Sequence, residues 1–135
     1  MQPFQKLKMS TDFENRIQVI DRINDVPVVF FKESEKPTLE ENILLWRRIE
    51  EISIESPVYF IIDVSKASPP SAEIRAYTKK HMNTFKDNIL HSYVVTGSNL
   101  FLKIGLKFIL ASMGLKCFSV VKTNADALSL IRNNV

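Results

Sequence analysis

Apolar and polar residues alternate over residues 16–23, where Ile17, Val19, Ile20 and Ile23 mark a half-buried strand. Asn24-Asp25 is a turn signal, and residues 26–32 (VPVVFFK) form a β-branched and aromatic run. Together they predict a hairpin. Pro27 has no N–H to donate and so belongs at the start or the edge of its strand. After Pro37 the period changes. Thr38-Leu-Glu-Glu41 reads as a capping box, in which the Thr38 hydroxyl and the Glu41 carboxylate both serve orphan N–H groups. The helix behind it runs to about Ser53, with Ile43, Trp46, Ile49 and Ile52 as its buried stripe and Glu50 and Glu51 outside.

Pro57 restarts the chain as a strand over residues 58–64 (VYFIIDV), an unbroken apolar run of the kind buried on both faces of a parallel sheet. A loop over 66–70 leads to Ser71, the N-cap of a helix from Ala72 to about Lys86. On that helix Ile74, Tyr77, Thr78, His81 and Phe85 share one face, and Arg75, Lys79 and Lys86 a neighbouring one. Residues 89–96 (ILHSYVVT) form the next strand, which Gly97 ends. Ser98 or Asn99 caps a helix to about Met113, with Gly114 just past its end. Residues 116–122 (KCFSVVK) make the last strand, and Thr123 to Asp126 cap a final helix carrying Ala127, Leu128 and Ile131.

The order is β-β-α-β-α-β-α-β-α. With right-handed crossovers it predicts an α/β fold: a mixed five-stranded sheet, its first pair antiparallel and the rest largely parallel, with helices on its faces. Residues 13–135 read as one domain, and residues 1–12 as a flexible N-terminal segment.

A chain of 135 residues with 45% hydrophobic content, nine Phe and one Trp can fill a single core. The lone cysteine, Cys117, excludes an intrachain disulfide and a cysteine-rich zinc site, and its place in an apolar strand predicts a buried, unreactive thiol. With no secretory signal over residues 1–12, this composition points to the cytoplasm. The apolar stretch over 100–115 is broken by Lys103 and Lys107 and is too short to span a bilayer. Charge is unevenly placed: residues 32–55 carry seven acidic and four basic groups, residues 66–122 nine basic and two acidic. Such polarity can steer an acidic partner, or mark nothing more than solvated helix faces. The basic residues lack the density and aromatic interleaving of a nucleic-acid surface, so no nucleic acid is expected.

Three stretches resemble the SpoIIAA-like proteins, which share the fold of STAS and Sec14-like lipid-transfer domains. They are FIIDVSKASPPSAEIRAY (residues 60–77), YVVTGSNLFLKIGLKFIL (93–110) and FSVVKTNADALSLI (118–131). The resemblance implies a binding module of the anti-sigma-factor-antagonist type, at work in bacterial signalling. In that class a serine of an Asp-Ser-Ser-Gly motif is phosphorylated at the start of the helix after the Asp63 strand. This chain has Pro70-Ser71-Ala72-Glu73 there, so the motif is absent and Ser71 is the nearest hydroxyl.

In open parallel sheets ligands bind beyond the carboxyl ends of the strands. Those ends gather Asp63, Ser65, Ser68, Ser71, Gly97, Ser98 and Asn99, a candidate edge for a ligand or for phosphorylation. Ser71, Ser98 and Thr123 read equally well as helix caps. A lone Gly97 is no phosphate loop. His81 and His91 are the only histidines and read as structural; no metal, no cofactor and no catalytic group is expected. The helix from Asn99 to Met113 is apolar over a wider arc than one sheet face needs to cover. Phe101, Ile104 and Phe108, beside Lys103 and Lys107, form a candidate interface for a second copy, another protein, a lipid or an anionic membrane surface. Two functions follow: a non-enzymatic protein-interaction module that dimerises or binds a partner, or a Sec14-like carrier of a lipid or small apolar ligand, which requires a sizeable apolar cavity.

Overall fold

The structure, a computed structural model, describes residues 16–112 and 117–133. The expected segment over 1–12 and the helix end at Met113-Gly114 lie outside them. The chain forms strands β1 (Ile17–Ile23) and β2 (Val26–Lys32), helix α1 (Leu39–Ser53), strand β3 (Val58–Asp63), helix α2 (Ala72–Thr84), strand β4 (Ile89–Val95), helix α3 (Leu100–Ser112), strand β5 (Phe118–Val121) and helix α4 (Asn124–Asn133).

The described strands make one five-stranded sheet in the order β1-β2-β3-β4-β5. β1 and β2 pair antiparallel across Asn24 and Asp25, whose φ angles of 52° and 66° are those of a tight hairpin turn. Every later pair is parallel. Pro27 sits at the start of β2, before its register with β3 begins at Val28 opposite Tyr59, so its missing N–H breaks no parallel ladder. Gly97 turns the chain out of β4 at φ 66°, with room for no side chain to spare: an added Cβ would stand 3.3 Å from the Ser65 Cβ.

Alternation along β3 sends Val58 and Phe60 into one core and Tyr59 and Ile61 into another. On the first face α1 and α2 cover Val29, Phe31 and Phe60 with Leu45, Trp46 and Ile49, and Tyr77 and Phe85 pack at the margin. On the second face α4 covers Tyr59, Ile61, Tyr93 and Val121 with Ala127 and Ile131, both fully buried.

Four expectations need correction. The buried stripe of α1 is Asn42, Leu45, Trp46, Ile49 and Ser53; Ile43 and Ile52 are only half-buried. The stripe is set by where the helix meets the sheet, and this admits Asn42 at the expense of its apolar neighbour. On edge strand β1 a bulge between Val19 and Asp21 breaks the alternation, leaving Val19 and Ile20 exposed. Thr38 does cap α1, its Oγ1 accepting from the Glu41 N–H at 3.2 Å. The Glu41 carboxylate, however, pairs with Arg16 at 3.0 Å and accepts from the Ser34 hydroxyl, tying the hairpin to the helix start. β5 begins at Phe118, so Cys117 lies just before it and is exposed rather than buried.

Gly105 lies inside α3, and a Cβ built there meets nothing within 4 Å. Gly105→Ala should therefore raise stability by about 0.5–1 kcal/mol through helix propensity and a stiffer unfolded chain. The check is a higher urea midpoint with an unchanged slope.

Candidate functional site

The first face of the sheet is not filled to its end. The packed cluster under α1 and α2 reaches Phe60 and Ile89. Beyond it, β4 and β5 present Ser92, Val94 and Phe118 toward α3, whose main contact with the sheet is β5. The helix stands off, and a cavity of about 520 Å³ opens between α1, α2, α3 and the strands. Its floor is Phe60, Ile62 and Val94. Leu45 and Trp46 of α1, Ile74 and Met82 of α2, and Leu102, Leu106 and Ile109 of α3 form the walls. The α3 residues recur at the spacing of one helix face, so the sequence aims a continuous apolar stripe at empty space. The volume lies within the range that holds small-molecule ligands, and the lining is mainly apolar, as such sites are.

The loop from Val64 to Pro70 rims this cavity. Of the seven candidates at the strand ends, Ser65, Ser68 and Asn99 line it. Asp63 and Ser71 are spent locally: Asp63 Oδ1 accepts from the Ser65 N–H at 2.9 Å, and Ser71 Oγ from the Ile74 N–H at 3.2 Å. Asn99 also caps α3, its Oδ1 accepting from the Leu102 N–H at 3.0 Å. Gly97 backs onto Ser65, and Ser98 is exposed. Thr123 and Asp126 form a reciprocal capping box at α4. The edge is thus built from turn and cap chemistry, and it opens sideways into the cavity.

Three charged side chains line the cavity: Glu33, Lys66 and Arg75. Burial pushes the Glu33 carboxyl above its ordinary value, against the Ser34 N–H that stabilises its charge; nearby Glu41 adds to the rise. Arg75 donates to the Pro70 carbonyl at 2.8 Å, bracing the rim loop against α2. His81 stacks on Tyr77 with ring centroids 4.0 Å apart and meets the Tyr77 carbonyl at 3.0 Å through Nδ1. His91 lies away from the cavity, its Nε2 2.8 Å from the Ser119 hydroxyl. Among the described residues no group of three His, Cys, Asp or Glu is placed to hold a metal ion, and no helix is long and apolar enough to cross a membrane.

On the outer side of α3, Leu100 is 64% and Ile104 60% exposed. Lys107 is exposed beside them and Lys103 half-buried. The side chains of Phe101 and Phe108 lie outside the described residues. The sequence reading missed the cavity and, with it, Asn42, Met82 and Ser92. Nothing in the local pattern separates a cavity wall from a packed core; only Asn42 and Ser92, polar residues on buried faces, hinted at it.

Two measurements probe these surroundings. Exposed Cys117 should react fully with a disulfide reagent in the native protein, without denaturant. His91 is held below 6.5, chiefly because burial disfavours its cation, with a hydrogen bond to the Phe118 backbone opposing. The unfolded chain therefore binds this proton more readily than the folded one. The stabilising contribution is present above pH 6.5 and is lost as pH falls through the folded value. Urea melts across that window should show this loss, and His91→Gln should flatten it.

The chain was also compared with known proteins. No protein-family model matches it, and no curated protein matches it.

Proposed function

We propose that this protein is a non-enzymatic binding module of the SpoIIAA-like class, with the fold of STAS and Sec14-like domains, and that it carries a small apolar ligand. The cavity of about 520 Å³ under α3 is the observation that supports this reading. A cavity of that size, open at the rim loop and lined mainly by leucine, isoleucine and phenylalanine side chains, holds apolar surface that an apolar guest would remove from water. The rim loop and the short contact of α3 with the sheet offer a way in.

Native mass spectrometry of the purified protein tests it, together with displacement of an environment-sensitive apolar fluorophore. Wild type should take up the fluorophore. Leu106→Trp, which puts bulk into the α3 wall, should weaken uptake at least tenfold while the far-ultraviolet spectrum stays unchanged. Equal uptake by both proteins would remove the cavity as the site.

The exposure of Leu100 and Ile104 next to Lys103 and Lys107 favours a second reading, in which the outer side of α3 binds a protein partner or a second copy of the chain. Light scattering should then report a dimer in wild type and a monomer for Ile104→Glu. A monomeric wild type would eliminate the self-association form of this reading.

A further inference from the structure

Among the described residues that line the cavity, Glu33 is the only acid. It follows β2 directly, and its N–H donates to the Asp63 carbonyl at 2.8 Å, where β3 gives way to the rim loop. The Ser68 N–H donates to the Glu35 carbonyl at 2.7 Å, so the segment that starts at Glu33 and the rim loop share one edge of the cavity. Glu33 is half-buried there. Its Oε1 accepts from the Ser34 N–H at 3.0 Å. Its Oε2 has no hydrogen-bond or ion-pair partner among the described residues, and it is not sealed from solvent.

The charged groups around this carboxyl leave it unneutralised. On the hairpin side, Arg16 bonds to the Glu41 carboxylate, the Ser34 hydroxyl and the Lys32 carbonyl. From α1, Glu41 presents a like charge. At the end of β3, the Asp63 carboxylate accepts from the Ser65 N–H. Lys66 of the rim loop and Arg75 of α2 line the cavity, but neither forms an ion pair with Glu33; Arg75 donates to the Pro70 carbonyl. Lys32, Glu35 and Lys36, on the segment of Glu33 itself, are exposed. The cavity-lining residues of α3, β4 and β5 carry no titratable group.

A carboxylate in an apolar wall without a cation bonded to it depends on water for its solvation. An uncharged apolar guest displaces that water and offers nothing in return, and the neutral acid loses far less than the anion. We propose that Glu33 makes loading of the cavity proton-linked: its carboxylate takes a proton from solvent as an uncharged apolar guest binds, and the guest is held less tightly once that proton leaves. This rests on the cavity being a ligand site. The proton goes to Oε2, and Oε1 remains the acceptor for the Ser34 N–H. Burial already holds the carboxyl above 4.5 in the unloaded protein; the Ser34 N–H opposes this, Glu41 adds to it and Arg16 opposes it. A guest raises it further. Affinity is therefore greatest at a pH below the unloaded value, falls as pH rises to the loaded value, and is level above that.

The test titrates the protein with N-phenylnaphthylamine, a fluorophore uncharged over the range used, at about pH 5 and about pH 8. Wild type should bind about three- to tenfold more tightly at the lower pH, a span suited to a carboxyl that starts half in contact with water. Calorimetry in two buffers of different ionisation enthalpy should show a net uptake of protons on binding. Glu33→Gln, an uncharged match for the protonated acid, should bind with one affinity at both values, close to that of wild type at the lower pH. Glu35→Gln, which removes an exposed neighbouring charge, should keep the wild-type dependence. Equal wild-type affinity at both pH values with no proton uptake, or a dependence that survives in Glu33→Gln, would overturn the inference and leave the apolar carrier intact. No binding by wild type at either pH would overturn the inference and the carrier reading together.

Discussion

A run of parallel strands laid down in chain order obliges every right-handed crossover to land on the same side of the sheet. In this protein β2, β3, β4 and β5 are such a run, so α1, α2 and α3 all fall on one face. The other face has α4 to cover it, and Ala127 and Ile131 are buried there against Tyr59, Ile61 and Tyr93. Among the described residues that side is therefore closed by a single short helix with small and branched side chains. The opposite side is shared among three helices, and the space between them need not close.

That asymmetry places the cavity. α1 is fixed from two directions: its apolar face carries Leu45, Trp46 and Ile49 into the core, and its first turn is bound to the hairpin through Arg16, Ser34 and Glu41. α2 is held by the ring stack of Tyr77, His81 and Phe85 against Trp46. Among its described side chains α3 shows no comparable ion pair or ring stack, and it meets the sheet mainly at β5. Its inner leucines face open volume while Leu100 and Ile104 face outward. Among the described residues, apolar side chains on both sides of α3 are thus left without close neighbours, Leu102 and Leu106 at the cavity and Leu100 and Ile104 at the surface.

The elements were legible because their signals are local. Alternation, the Asn24-Asp25 turn, Pro57 and the caps at Thr38, Ser71 and Thr123 each act within a few residues. The strand ends were also readable, although most of their polar groups proved to be turn and cap chemistry. The cavity was not readable, since its lining comes from three helices and three strands and uses the residue types of any core. Errors of one or two residues had consequences of kind: Asn42 rather than Ile43 faces inward, and Cys117 lies outside the strand that was to bury it. The destination of the Glu41 carboxylate depended on Arg16, 25 positions away in sequence, beyond the reach of a local motif.

Closure of the second face by α4 also orders events in time. Each strand–helix step from β2 to β5 can settle beside its predecessor as the chain emerges, because neighbours in the sheet are neighbours in sequence. Until residues 124–133 are made, however, no other described helix covers Tyr59, Ile61, Tyr93 and Val121. A nascent chain paused at that stage holds a nearly complete sheet with one sticky side, the species most prone to associate with its own kind. The final ten-residue helix is thus the step that converts a self-adhesive intermediate into a closed protein.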